Sequence, residues 1–130
     1  MDNLTNVIIS DKSKQYPEPH EISAALILSE HFNCQITFIK PRDCYKLKTP
    51  DFVMHALDWE LKSPIGNSKT TISNNIINAK SQSSNIIIDT RRTKLEDEMI
   101  RIELVKQARK RKSILRLIMI TKDEKVLVIK

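Results

Sequence analysis

The chain has 130 residues, 40% of them hydrophobic and 29% charged, and only one is glycine. Soluble chains average about 7% glycine, and neither a P-loop nor a G-x-G-x-x-G turn can be written with one, so nucleotide binding of those kinds is excluded. The net charge is +6 but unevenly placed: residues 91–130 hold 13 Lys/Arg against 6 Asp/Glu, and residues 1–90 hold 9 against 10.

Residues 1–16 read as an N-terminal arm or an edge strand around Val7–Ile9, and residues 17–130 as one domain. The proline-flanked YPEPH opens a helix to Phe32, with Ile22, Ala25, Leu26, Ile27 and Phe32 as its apolar positions. Gln35–Ile39 is a short strand, and residues 41–50 are a loop. Asp51–Ser63 reads as a hairpin, and Ser63–Ser68 as a loop. Thr70–Ser81 is a helix with Ile72, Ile76 and Ala79 on one stripe. Asn85–Asp89 contains III, a buried strand by length and β-branching. Lys94–Lys110 is an amphipathic helix whose stripe is Leu95, Met99, Ile102, Val105 and Ala108. Ile114–Thr121 and Lys125–Ile129 are two strands joined at TKDE. The expected class is α/β, a mixed central sheet flanked by helices.

The longest apolar run, Ile114–Ile120, is broken by Arg116, so no membrane span is expected. The N-terminal MDNLTNVIISDK is acidic where a signal peptide is basic. The expectation is a chain that starts in the cytoplasm or is a fragment of something longer. Cys34 and Cys44 are too few for a disulfide framework or a zinc knuckle and read as reduced thiols.

The segment TPDFVMHALDWELKSP carries the chemistry. Pairing Asp51–His55 with Asp58–Lys62 around a turn at Ala56–Leu57 puts Asp51 opposite Lys62 and Val53 opposite Glu60. One face then carries Phe52, Met54, Trp59 and Leu61, and the other Asp51, Val53, His55, Asp58, Glu60 and Lys62. Diagonal neighbours on a sheet lie about 7–8 Å apart, close enough for Asp51 and Glu60 to share Mg²⁺ or Mn²⁺. A metal lowers the pKa of a bound water and polarises a phosphoryl oxygen. A lysine beside it orients that water or offsets charge on the phosphate.

With Pro50-Asp51 followed by Glu60-Leu61-Lys62, the chain resembles the PD-(D/E)xK nuclease superfamily. More narrowly, HEISAALIL, TPD…DWELKSPIGNS and NAKSQSSNIIIDTRR resemble the C-terminal transfer-RNA nuclease toxin domain of contact-dependent growth inhibition systems. The likeness spans Pro17 to Lys125. It implies a restriction-endonuclease-like fold, metal on Asp51 and Glu60, a catalytic Lys62 and an acidic partner on the first helix, Glu21. It implies action in the cytoplasm, on tRNA in preference to DNA, as the C-terminal fragment of a secreted toxin with an immunity protein as partner. A DNA endonuclease or resolvase of a mobile element, and a non-catalytic nucleic-acid-binding module, are the alternatives.

Other polar residues are candidates for substrate binding. Ser63 follows the lysine; Thr70 opens the next helix, whose N-terminal N–H groups suit a phosphate. Lys80 and Gln82 end that helix, expected near the cleft, and the resemblance favours a Gln there. Arg91 and Arg92 follow Asp89, as a substrate-facing pair or a strand-end ion pair. Arg109, Lys110, Arg111 and Lys112 form a basic run that suits a phosphate backbone or complements a helix C-terminus. Gly66, the one glycine, lies in the loop after Lys62 and allows either positive φ or close approach. Exposed strands such as Lys125–Ile129 leave oligomerisation open.

Overall fold

A computed structural model describes residues 6–9, 17–39 and 49–130. Its elements are β1 (Val7–Ile8), α1 (Pro19–Phe32), β2 (Ile36–Phe38), β3 (Phe52–Met54), β4 (Leu57–Lys62), α2 (Thr71–Lys80), β5 (Asn85–Asp89), α3 (Asp97–Lys110), β6 (Arg116–Ile120) and β7 (Val126–Val128). The seven strands form one mixed sheet in sequence order. Pairs β1–β2, β4–β5 and β5–β6 are parallel, and the remaining pairs are antiparallel. The expected loop over residues 41–50 and the second thiol, Cys44, lie largely outside the described residues.

Period-two alternation sorts the strands onto two cores. Phe52, Met54, Trp59, Leu61, Ile87, Ile118 and Ile120 pack with α1. Ile86, Ile88, Leu117 and Met119 pack with α2 and α3 on the opposite face. Every residue of β5 is buried because helices cover both of its faces. Helix α1 touches both edge strands, β1 and β7, so the sheet curls around it. Among the described residues, no helix is long and apolar enough to cross a membrane.

Two helices match their expected stripes only in part. In α1 the buried residues are Ala24, Ala25, Leu28 and Ser29; Ile22, Leu26, Ile27 and Phe32 are half-buried. The small Ala24–Ala25 pair sits where helix meets sheet, and the larger apolar side chains reach in from the flanks. In α3 the buried stripe is Ile100, Leu104, Gln107 and Ala108. Met99 and Ile102 are 45% and 57% exposed. Leu95 and Ala108 are buried as expected, but Leu95 precedes the helix, so counting the period from it gave the wrong phase for Met99 and Ile102.

The hairpin also differs. Phe52 stands opposite Trp59, Val53 opposite Asp58 and Met54 opposite Leu57. The turn is therefore His55–Ala56, with φ of 55° and 60°, the backbone of the two-residue hairpins that match strand twist. The expected pairing is displaced by two residues. A shift of two keeps every side chain on its face. It moves Leu57 from the turn into contact with the core, which explains why this register wins. It moves His55 off the acidic face to the exposed turn, where its ring meets Phe32 edge-on at 5.5 Å.

Candidate active site

The parallel register of β4 and β5 aligns Lys62 with Ile88. The carboxyl ends of these strands therefore lie together, where open α/β sheets commonly bind ligands. The start of β3 arrives at the same end because it runs antiparallel to β4.

Glu60 projects from β4 on the α2 face and is 3% exposed. Its Oε2 lies 3.2 Å from Lys62 Nζ. Its Oε1 is buried without a hydrogen-bond partner among the described residues. Asp51 packs against it, held by the Leu61 N–H, which donates to Asp51 Oδ2 at 2.7 Å. The Asp51 N–H donates to the Trp59 carbonyl at 2.9 Å, so the two carboxylates are brought level instead of diagonal. Burial pushes the Glu60 carboxyl up to about 8, the Asp51 charge and hydrogen bond push the same way, and Lys62 opposes them. Without a cation, such a pair shares a proton.

Glu21 lies in the first turn of α1, where its Oε1 accepts the Glu18 N–H at 3.0 Å. Its pKa is raised, chiefly by burial and also by the Asp51 charge. Asp51, Glu60, Lys62 and Glu21 thus gather at one end of the sheet. Glu18, His20 and Glu21 bring their ligand atoms within 4.8 Å of one another at this helix start.

Ser63, aligned with Asp89 by extension of the register, has a buried Oγ without a partner among the described residues. Arg91 forms the ion pair of the two readings: Nε and Nη2 grip Asp89 at 2.9 and 2.8 Å, and Nη1 donates to Ser23 Oγ at 2.8 Å. It ties β5 to α1. Arg92 is exposed and its Nη1 lies 3.1 Å from His20 Nε2, beside the acidic helix start. Thr70 precedes α2 at this end, its hydroxyl 3.2 Å from Ser68 Oγ.

Lys80 and Gln82 lie elsewhere. Helix α2 returns from the end of β4 to the start of β5, and Ser83 and Asn85 bond the Asp58 carbonyl there. Arg109, Lys110, Arg111 and Lys112 follow the same logic at the start of β6, where Leu115 N–H donates to Ser84 O. A crossover helix runs antiparallel to the strands it joins, so the end of each helix is remote from the carboxylates. The strand–helix–strand order carries that signal.

Gly66 supplies close approach, not positive φ: a Cβ there would meet Thr71 Oγ1 at 2.8 Å, and no glycine has positive φ. Its carbonyl accepts the buried Thr93 hydroxyl at 2.7 Å, locking the loop after Lys62 to the segment after Arg92. That tie escaped the sequence reading because Thr93 lies 27 residues away.

The sequence profile for the contact-dependent growth inhibition CdiA C-terminal domain matches residues 48–126, more than half of the chain. The chain belongs to that family. The matched span includes Asp51, Glu60 and Lys62 and stops short of α1. The fold is similar to a chain of the "CdiA-CT/CdiI toxin and immunity complex from Burkholderia pseudomallei", with a TM-score of 0.60 and 17% identity over 94% of this chain and 98% of that one. No curated protein matches the chain.

Proposed function

We propose that this CdiA C-terminal domain is a metal-dependent nuclease toxin of the PD-(D/E)xK type, acting on tRNA or another structured RNA. The observation that carries this reading is Glu60: a buried carboxyl whose Oε1 has no hydrogen-bond partner among the described residues, set against Asp51 and Lys62. A buried orphan acceptor costs about 1–3 kcal/mol. The donor set is hard oxygen, which suits Mg²⁺ or Mn²⁺, so the residues fit such an ion. Asp51 and Glu60 would hold it. When bound, it supplies Lewis-acid polarisation and lowers the pKa of a bound water.

The chain's own groups do the rest. Lys62 offsets charge developing on the scissile phosphate. Ser63 Oγ is available to donate to a phosphate oxygen. Glu21 completes the acidic wall, and burial together with the Asp51 charge raises its pKa above the ordinary carboxylate value. Arg92 and Thr70, both at this end of the sheet, would contact flanking phosphates. In-line attack by water leaves a 5′-phosphate and a free 3′-hydroxyl.

The fold likeness to a toxin held in a toxin and immunity complex supports an immunity protein as this chain's partner. It also supports delivery as the end of a larger secreted toxin that acts in the target cell's cytoplasm. The test is incubation with total tRNA and with plasmid DNA, under Mg²⁺, Mn²⁺ or chelator. Wild type is expected to cut tRNA only with metal, and Asp51→Ala and Lys62→Ala are expected not to cut. Activity that survives both substitutions overturns the site. Cutting of plasmid alone favours the DNA endonuclease reading. Loss of cutting at a 2′-deoxy residue makes the ribose hydroxyl the nucleophile and overturns the water mechanism. Absence of cutting on either substrate points to a non-catalytic module.

A further inference from the structure

We propose that the far, basic end of the α2/α3 layer is a second anchor for nucleic-acid backbone, one that only a folded or long substrate reaches. The inference rests on the nuclease reading above. Helix α3 starts at the carboxylate end, where Asp97 Oδ1 accepts the Thr90 hydroxyl at 2.8 Å. Its 14 residues, at 1.5 Å each, carry the chain roughly 20 Å away. Arg109 and Lys110 of its last turn, Lys112 of the next loop and Lys80 in the last turn of α2 all lie at this end of the sheet, where Leu115 N–H donates to Ser84 O.

Lys80, Arg109, Lys110 and Lys112 are exposed, and none forms an ion pair with another described residue. The macrodipole accounts for cations within a helix's last turn. It does not account for cations that two helices and a loop all place at one end of the sheet. Arg111 is held in place: its Nε donates to Gln107 Oε1 at 2.7 Å, and Gln107 Nε2 donates to Glu103 at 3.0 Å. Gln107 is buried, so this polar position in the helix stripe fixes an arginine at the edge of the patch. A row of phosphates is the partner that complements such a cluster. Roughly 20 Å corresponds to about six stacked base-pair steps at 3.4 Å, so a dinucleotide seated at Glu60 does not extend this far.

The experiment measures binding in chelator, where cleavage is silent. The wild type and the triple variant Arg109→Gln/Lys110→Gln/Lys112→Gln are titrated with total tRNA and with a single-stranded RNA of two nucleotides. Melting confirms that the variant is folded. We expect tRNA affinity to fall at least tenfold and its salt slope to lessen by about 2–3. The affinity ratio of tRNA to the short RNA should fall with it. Lys80→Gln, on a different helix, should reproduce part of the loss. Equal loss on both ligands overturns the anchor, as does unchanged tRNA binding, the result expected if an acidic protein occupies this end. Because binding is read without cleavage, an inert but tRNA-binding protein overturns the nuclease reading alone. A protein that cuts tRNA while its triple variant binds as before overturns the anchor alone.

Discussion

Glu60 is the residue on which the functional account turns. A carboxyl whose folded pKa, about 8, stands above its ordinary 4.5 holds its proton more tightly in the folded state. Its contribution to stability is therefore complete below about pH 4.5 and is lost as pH rises toward 8. In chelator, wild type should melt at falling temperature across that window, and Glu60→Gln should show a flatter profile. Saturating Mg²⁺ should raise the wild-type melting point by ligand linkage and leave Glu60→Gln nearly unmoved. A variant with the wild-type slope and metal response removes Glu60 from the site. Gly66 is the second such position. Gly66→Ala places a methyl against Thr71 and should cost about 1–3 kcal/mol by overpacking. Thr71→Ala removes the obstructing hydroxyl, so a double-mutant cycle should show coupling between the two; additive losses would show that contact to be harmless.

At the scale of elements, the sequence placed nearly every strand and helix, because periodicity and β-branching report local structure directly. It missed phase and register. The stripe of α3 was misread because Met99, Ile102 and Val105 offer a second apolar row beside Ile100, Leu104 and Ala108. Only packing against β6 and α2 selects between the rows. Leu104→Ala should cost about 2–5 kcal/mol, whereas Ile102→Ser should stay within about 0.5 kcal/mol; denaturant midpoints check both. The hairpin slipped by two because alternation constrains only parity. That is why Asp51, Glu60 and Lys62 were assigned to the correct face with the wrong opposites. Both turn residues carry positive φ without being glycine. His55→Asn/Ala56→Gly should gain about 0.5–1 kcal/mol by matching the turn's preferred residues, and a lower denaturant midpoint would contradict that turn assignment.

Across the whole molecule, the acidic site and the basic run lie at opposite ends of the parallel strands. Their separation was not legible from charge counts, because a net +6 carries no direction. It follows from topology: each crossover helix begins where its strand ends and finishes at the start of the next. Glu21 and Ser23 join the site end from α1, far in sequence from Glu60 and Arg91. The chain contributes distant segments to one polar cluster while the two cores hold the sheet beneath it. The most direct measurement is the rate of tRNA cleavage against Mg²⁺ concentration for wild type and Glu60→Gln, with folding verified by circular dichroism. The account predicts a metal-dependent wild-type rate that falls by about 10²–10⁴ in the variant, the range expected when a positioned catalytic group is lost. A Glu60→Gln protein cutting at the wild-type rate, or wild type cutting equally well in chelator, would contradict it.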